Sequence, residues 1–356
     1  MKKTILLLVA IALTSAKMMA EGLTATLQQG ETMTAFYGVN AFVDAYNAAE
    51  DGAVITLSEG QFNYVSSIEK SITVIGNMAF DVEGYEKTYL SNTTVNADNV
   101  TLEGIYFTDV YLGNINNCHI KRCRIGNTLY YVNNTVHTNT LIDQCVINCE
   151  YAMPTSRNYC LKNSTIGSFY EYNSSMHIAY ITNCYICFFA IFKSSYHAQP
   201  FAIYKNCVLG MNNNNYSTSA EIYLCSPSEF YNNYFYRTAG GSSSTNYIFK
   251  ESFYQGCLNN GNTNSGDNSA YVSNHYTGNY IINSFNQTGD DGTPIGITGG
   301  SGFSPYPSIP RITSKQIDSK TDSEGKLNVK ITVSTEETLV KEEKPEEGTG
   351  EETTGE

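Results

Sequence analysis

Asp143 and Lys162 carry opposite charges at the same place in two similar segments, Ile142-Asp-Gln-Cys-Val-Ile147 and Leu161-Lys-Asn-Ser-Thr-Ile166. If the chain stacks these segments, a carboxylate and an ammonium stand side by side, the pairing that general acid–base chemistry needs at a reacting bond. Glu103, Lys121 and Lys205 hold the equivalent place in other segments, where Lys121 and Lys205 would offer cationic contacts to a polar ligand. The simpler reading of Glu103, Lys121, Asp143 and Lys162 is a solvated ion-pair ladder, worth about 0–1 kcal/mol per exposed pair. Tyr106, Tyr185 and Tyr234 share the fifth place and are expected to face outward, where their rings can stack on sugars; Tyr also suits any half-exposed strand. The five His residues share no metal-ligand spacing, and Cys184-x-x-Cys187 has no second pair beside it, so no metal or cofactor is expected.

These positions belong to an internal repeat. Segments beginning at Leu102, Ile120, Ile142, Leu161, Ile181, Tyr204, Phe230 and Tyr254 superimpose without gaps over six residues, and successive segments are offset by 18, 22, 19, 20, 23, 26 and 24 residues. Positions one, four and six are mostly apolar or small. The step from one to four breaks the two-residue alternation of a strand, as a corner does between two strands that point into one core. The corner is position three, held by Gly104, Arg122, Gln144, Asn163, Asn183, Asn206, Asn232 and Gly256. Gly and Asn tolerate a left-handed bend, and stacked amides can bond from rung to rung. Ile115-Asn-Asn-Cys-His-Ile120 also fits but starts only 13 residues after Leu102, so it is read as part of the preceding strand. Such a period points to a solenoid.

Around the repeat lie other elements. Lys2 and Lys3 precede an apolar run, Ile5 to Leu13, and small residues at Ala16 and Ala20, the order of a signal peptide over residues 1–20; the run is too short to span a membrane as a helix. Ala41 to Ala49 spaces Phe42, Tyr46 and Ala49 on one helix face. VITL (54–57), QFNYV (61–65) and SITVIG (71–76) read as three strands. The expected solenoid covers 21–300, and a β extension over 301–335 is expected to cap its last coil. Residues 336–356 hold nine Glu against two Lys and read as a disordered acidic tail. The whole chain has 37 Asn, 28 Gly, 28 Tyr, no Trp and a net charge of −13. That composition favours strands and turns and excludes the basic footprint of a nucleic-acid binder.

Cys123, Cys145, Cys184, Cys207 and Cys257 all fall at position four. Thiols stacked on parallel rungs about 4.8 Å apart are poorly aimed for bridging, so they read as small buried hydrophobes.

The N-terminal helix, AVITLSEGQF and SITVIG, followed by repeated I-x-N-C-x-I segments, resemble the right-handed parallel β-helix proteins of the pectin lyase-like superfamily, and most closely secreted β-helix proteins of Gram-negative bacteria. The resemblance covers about residues 35 to 300. It implies an all-β fold: a right-handed parallel β-helix with a short N-terminal capping helix and a C-terminal β-strand extension. The signal peptide implies an exported protein, periplasmic, cell-surface or extracellular, and its expected partner is a polysaccharide or surface glycan. The leading expectation is non-catalytic glycan or surface interaction. The alternatives are a polysaccharide lyase or glycoside hydrolase working on the solenoid face through Asp143 and Lys162, and a structural surface spacer.

Overall fold

The computed structural model describes residues 22–132, 137–152, 156–172, 177–192, 202–211, 229–237, 253–255, 258–260, 288–308, 311–317 and 329–334. The signal segment, the acidic tail, Gly256, Cys257, the Asn212–Asn215 run and the Gly240–Thr245 loop lie outside them.

From residue 54 onward the chain alternates between two parallel sheets, which makes a β-solenoid. The first sheet takes strands such as Thr101–Glu103, His119–Lys121, Leu141–Asp143 and Ser156–Lys162; the second takes Tyr106–Leu112, Arg124–Tyr131, Val146–Ala152 and Thr165–Tyr172. The repeat explains the alternation. Position one (Leu102, Ile120, Ile142, Leu161, Ile181, Tyr204, Phe230) is completely buried, as is position four (Ile105, Cys123, Cys145, Ser164, Cys184, Cys207, Asn233), and both point into one core. The corner residue between them is left-handed at every described rung, with φ from 46° at Asn163 to 67° at Gly104.

A second left-handed column lies five residues earlier in four of the coils: Asn99, Asn117, Asn139 and Asn158, with φ of 53–61°. The rung-to-rung amide ladder expected at position three is found here instead, from Asn117 Nδ2 to Asn99 Oδ1 at 2.8 Å and from Asn158 Nδ2 to Asn139 Oδ1 at 3.0 Å. Ile115-Asn-Asn-Cys-His-Ile120 therefore has its own corner at Asn117, and Ile115–Asn116 is a separate strand paired with His137–Thr138. It is not an extension of the preceding strand.

The position-three amides bond something else. The Gly/Pro-rich residues 288–307 do not leave the solenoid; they run back over this corner column as a strap. Asn206 Nδ2 donates to Asp291, Asn183 Nδ2 to Pro294 O, and Asn163 Nδ2 to Gly299 O at 2.6 Å, while Ser304 N donates to Gln144 Oε1 at 2.8 Å. A Cβ on Gly104 would lie 2.4 Å from Pro307, so the strap's last contact needs glycine at that rung.

At the N-terminal end, helix α1 (Ala41–Ala48) buries Ala41, Phe42, Ala45 and Tyr46 as its spacing predicts. Two strands not anticipated from the repeat, Thr24–Gln29 and Thr32–Tyr37, form an antiparallel hairpin that continues the first sheet from Val54–Leu57. QFNYV contributes only Gln61 to a strand. A second unit begins at Ser308, and its described strands, Arg311–Ile317 and Val329–Ser334, pair with each other in a two-stranded antiparallel sheet.

The described position-four cysteines, Cys123, Cys145, Cys184 and Cys207, are buried free thiols. At position four each Sγ donates to the carbonyl two residues back, as from Cys145 to Asp143 O at 3.3 Å and from Cys184 to Thr182 O at 3.2 Å. Burial pushes the Cys123 thiol up to about 12 and those of Cys145 and Cys184 well above the ordinary range. Since only the thiolate reacts, alkylation of these three in the folded protein is expected to be at least ~100-fold slower than in the guanidinium-unfolded chain. Mass-spectrometric mapping checks this; fast native labelling would place the thiols outside the core.

Candidate ligand groove on the second sheet

In the first-sheet strands of the repeat, position one points inward, so the residues on either side of it form two outward columns. One column runs Glu103, Lys121, Asp143, Lys162, Thr182, Lys205 and Tyr231 in register. Its carboxylates are not solvated, contrary to the ladder reading. Glu103 is 5% and Asp143 4% exposed. Arg122 Nη1 reaches Glu103 at 2.9 Å with Lys121 Nζ at 3.9 Å, and Lys162 Nζ lies 3.4 Å from Asp143 Oδ2. The long cationic side chains fold over the short carboxylates and remove them from water. Asp143 and Lys162 are thus neighbours, as an acid–base pair requires, and Asp143 Oδ1 is buried without a hydrogen-bond partner. His119 stands diagonally across from Asp143; burial lowers its pKa, and the Asp143 charge opposes that shift. Lys205 is held by the strap, its Nζ 2.8 Å from Asp291 Oδ2, and this bond is the main reason Asp291 titrates at about 2.

The fifth-position tyrosines separate. All three lie on the outer side of the second sheet, yet Tyr185 is 1% and Tyr234 9% exposed, packed with Ile295 and Ile297 of the strap. Their expected exposure is overturned by a segment more than fifty residues away in sequence. Tyr106 is half-buried. Its ring lies 5.1 Å from that of Tyr89 and 5.3 Å from the Arg124 guanidinium, which also contacts Asp81 Oδ2 at 3.4 Å.

Next to Tyr106 a shallow groove, open to solvent, crosses three rungs. Its lining pairs position five (Arg124, Val146, Thr165) with position seven (Gly126, Asn148, Gly167), and Cys187 closes one end. The repeat segments themselves stop at position six, so position seven lay outside the pattern. The two glycines put no side chain over the sheet, which leaves the depression. A Cβ on Gly126 would lie 2.5 Å from Tyr106 Oη, so glycine lets the Tyr106 ring lean over this wall. The Asn148 side chain is exposed at the rim. Thr165 is 3% exposed and its Oγ1 has no hydrogen-bond partner within the protein. The groove therefore offers a hydroxyl, an amide and a guanidinium, with the Tyr106 hydroxyl beside its Gly126 end.

Further along the same strands Tyr111, Tyr130, Tyr151 and Tyr170 are in register, and the first two rings stack at 4.9 Å with 8° between their planes. This column was legible as a Tyr recurring five or six residues after position five, but the bulge between Ile125 and Leu129 breaks a gapless alignment. Among the described residues, no group of three or more His, Cys, Asp or Glu is placed to hold a metal ion, and no helix is long and apolar enough to cross a membrane.

Comparison with protein-family models, with curated proteins and with solved structures finds no match to this chain.

Proposed function

We propose that this is an exported, non-catalytic glycan-binding β-helix whose site is the second-sheet groove, and that its kinship is with the pectin lyase-like superfamily. The observation that carries this reading is Thr165 Oγ1, a buried hydroxyl without a protein partner that lines an open groove. Buried polar atoms are normally satisfied. A ligand rich in hydroxyl groups satisfies it while Asn148, Arg124 and the neighbouring Tyr106 hydroxyl supply further donors. The export reading rests on the order of charge, apolar run and small residues at the N-terminus.

Thr165→Val tests the site, because it removes the hydroxyl and keeps the shape. On a glycan array, with affinities then measured by calorimetry, it is expected to weaken binding about tenfold, the worth of one hydrogen bond. Folding stability should stay level or rise, since the lost group is unsatisfied in the free protein. Unchanged affinity would remove the groove from the reading.

A second reading, a lyase or hydrolase at Asp143 and Lys162, is favoured by one observation: their 3.4 Å contact beside an unsatisfied Asp143 oxygen. Assays for reducing ends and unsaturated products with Asp143→Ala and Lys162→Ala separate the two. Turnover lost in those variants would replace the groove by the first-sheet face.

A further inference from the structure

The first sheet ends on a strand that nothing described covers. Among the described residues Thr32–Tyr37 pairs only with Thr24–Gln29, through a two-residue turn at Gly30 and Glu31. In such a hairpin Gln29 and Thr32 form the first hydrogen-bonded pair, and bonded pairs then alternate along the ladder. Gly38 N donating to Leu23 O at 2.8 Å, at the far end, fits that phase. The N–H and C=O groups of Met33, Ala35 and Tyr37 therefore point to the open edge. Thr32–Tyr37 has no charge, no proline and no bulge, the devices by which edge strands are usually blunted. Met33 is 68% and Tyr37 52% exposed, on the face turned away from the core.

We propose that this edge is a self-association surface, where two copies of the chain pair antiparallel about a two-fold axis through Ala35 and join their first sheets. The occupant follows from the register. The axis sets Ala35 against Ala35 and Met33 against Tyr37 of the second copy, and these residues, and only these among the six, offer edge-facing backbone groups. Every bonded pair is thus complete, and each side gains a methionine–aromatic contact. Charge permits the same choice in a chain of net charge −13. Between residues 22 and 43 the one acid is Glu31, and the two-fold places its two copies about 26 Å apart, eight residues at about 3.3 Å each, well beyond the screening length of about 8 Å. A separate peptide adding to the edge would find the same backbone groups but no built-in partner for both Met33 and Tyr37.

Sedimentation of the full chain across the micromolar range tests this. The wild type is expected to dimerise, and Ala35→Lys, which sets like charges opposite each other at the axis, to raise the dissociation constant at least tenfold. Ala35→Glu should do the same, while an equimolar mixture of the two variants should regain dimer through the opposite charges. Circular dichroism melts keep misfolded variants out of the comparison. A wild type that stays monomeric would overturn the proposal, as would a dimer indifferent to Ala35→Lys or a mixture that fails to recover.

Discussion

Asn163→Ala is expected to cost about 4 kcal/mol and to release the strap. The Asn163 side chain donates to Ile297 O at 3.1 Å and Gly299 O at 2.6 Å and accepts from Ser301 Oγ at 3.0 Å, and the residue is 2% exposed. Three bonds at about 1 kcal/mol each are lost, and the strap carbonyls left buried carry a desolvation cost. Alanine at φ 46° adds about 1 kcal/mol of left-handed strain. Asn163→Gly separates these contributions, because it keeps the backbone relaxed and should recover about that last 1 kcal/mol. Urea unfolding gives the stabilities. Hydrogen exchange at Gly296, whose N–H donates to Asn206 O at 2.7 Å, should quicken in both variants as the strap lifts and Tyr185 and Tyr234 are uncovered. A loss below about 1 kcal/mol, with exchange unchanged, would mean that the strap is held by its apolar contacts and not by the corner amides.

The second large effect depends on pH. His137 points into the core, 1% exposed, with its ring edge-on to Tyr131 at 5.0 Å. Burial lowers its pKa from 6.5 to about 4. The unfolded chain takes up this proton near pH 6.5 and the folded chain only near pH 4, so between those values the unfolded state holds more protons. Stability therefore falls as pH falls through that window and levels off below it. The loss integrates to about 3 kcal/mol. Other groups titrate in the same range, so the quantity to measure is the stability difference between wild type and His137→Phe at each pH. Phenylalanine keeps the ring and its contact with Tyr131. The difference should shift by about 3 kcal/mol against the wild type between pH 7 and pH 4; a constant difference would place the imidazole in contact with solvent.

Much of the fold could be read before any coordinates. A fixed set of inward positions, one, four and six, must recur at every rung because a solenoid has one core, and Asn or Gly holds the corner at all described rungs but those of Arg122 and Gln144 because few residues accept φ near +50°. The same rule marked a second corner column, Asn99, Asn117, Asn139 and Asn158, but it stands three residues before the six that were aligned. The candidate site was less legible. Gly126 and Gly167 form a groove by lacking side chains, and they stand one place beyond the segment that repeats.

What the sequence determined by itself was therefore local and periodic: which residues face in, where the chain bends, that α1 buries Phe42 and Tyr46, and that Asp143 and Lys162 are neighbours. What the tertiary structure alone decided was which outward residues stay outward. The strap from 288 to 307 covers Tyr185 and Tyr234, claims the amides of Asn163, Asn183 and Asn206, and leaves Tyr106 half-open beside the groove. The repeat states only that these side chains leave the core; whether they then meet water or protein depends on a contact across more than fifty residues, for which alternation along a strand carries no signal.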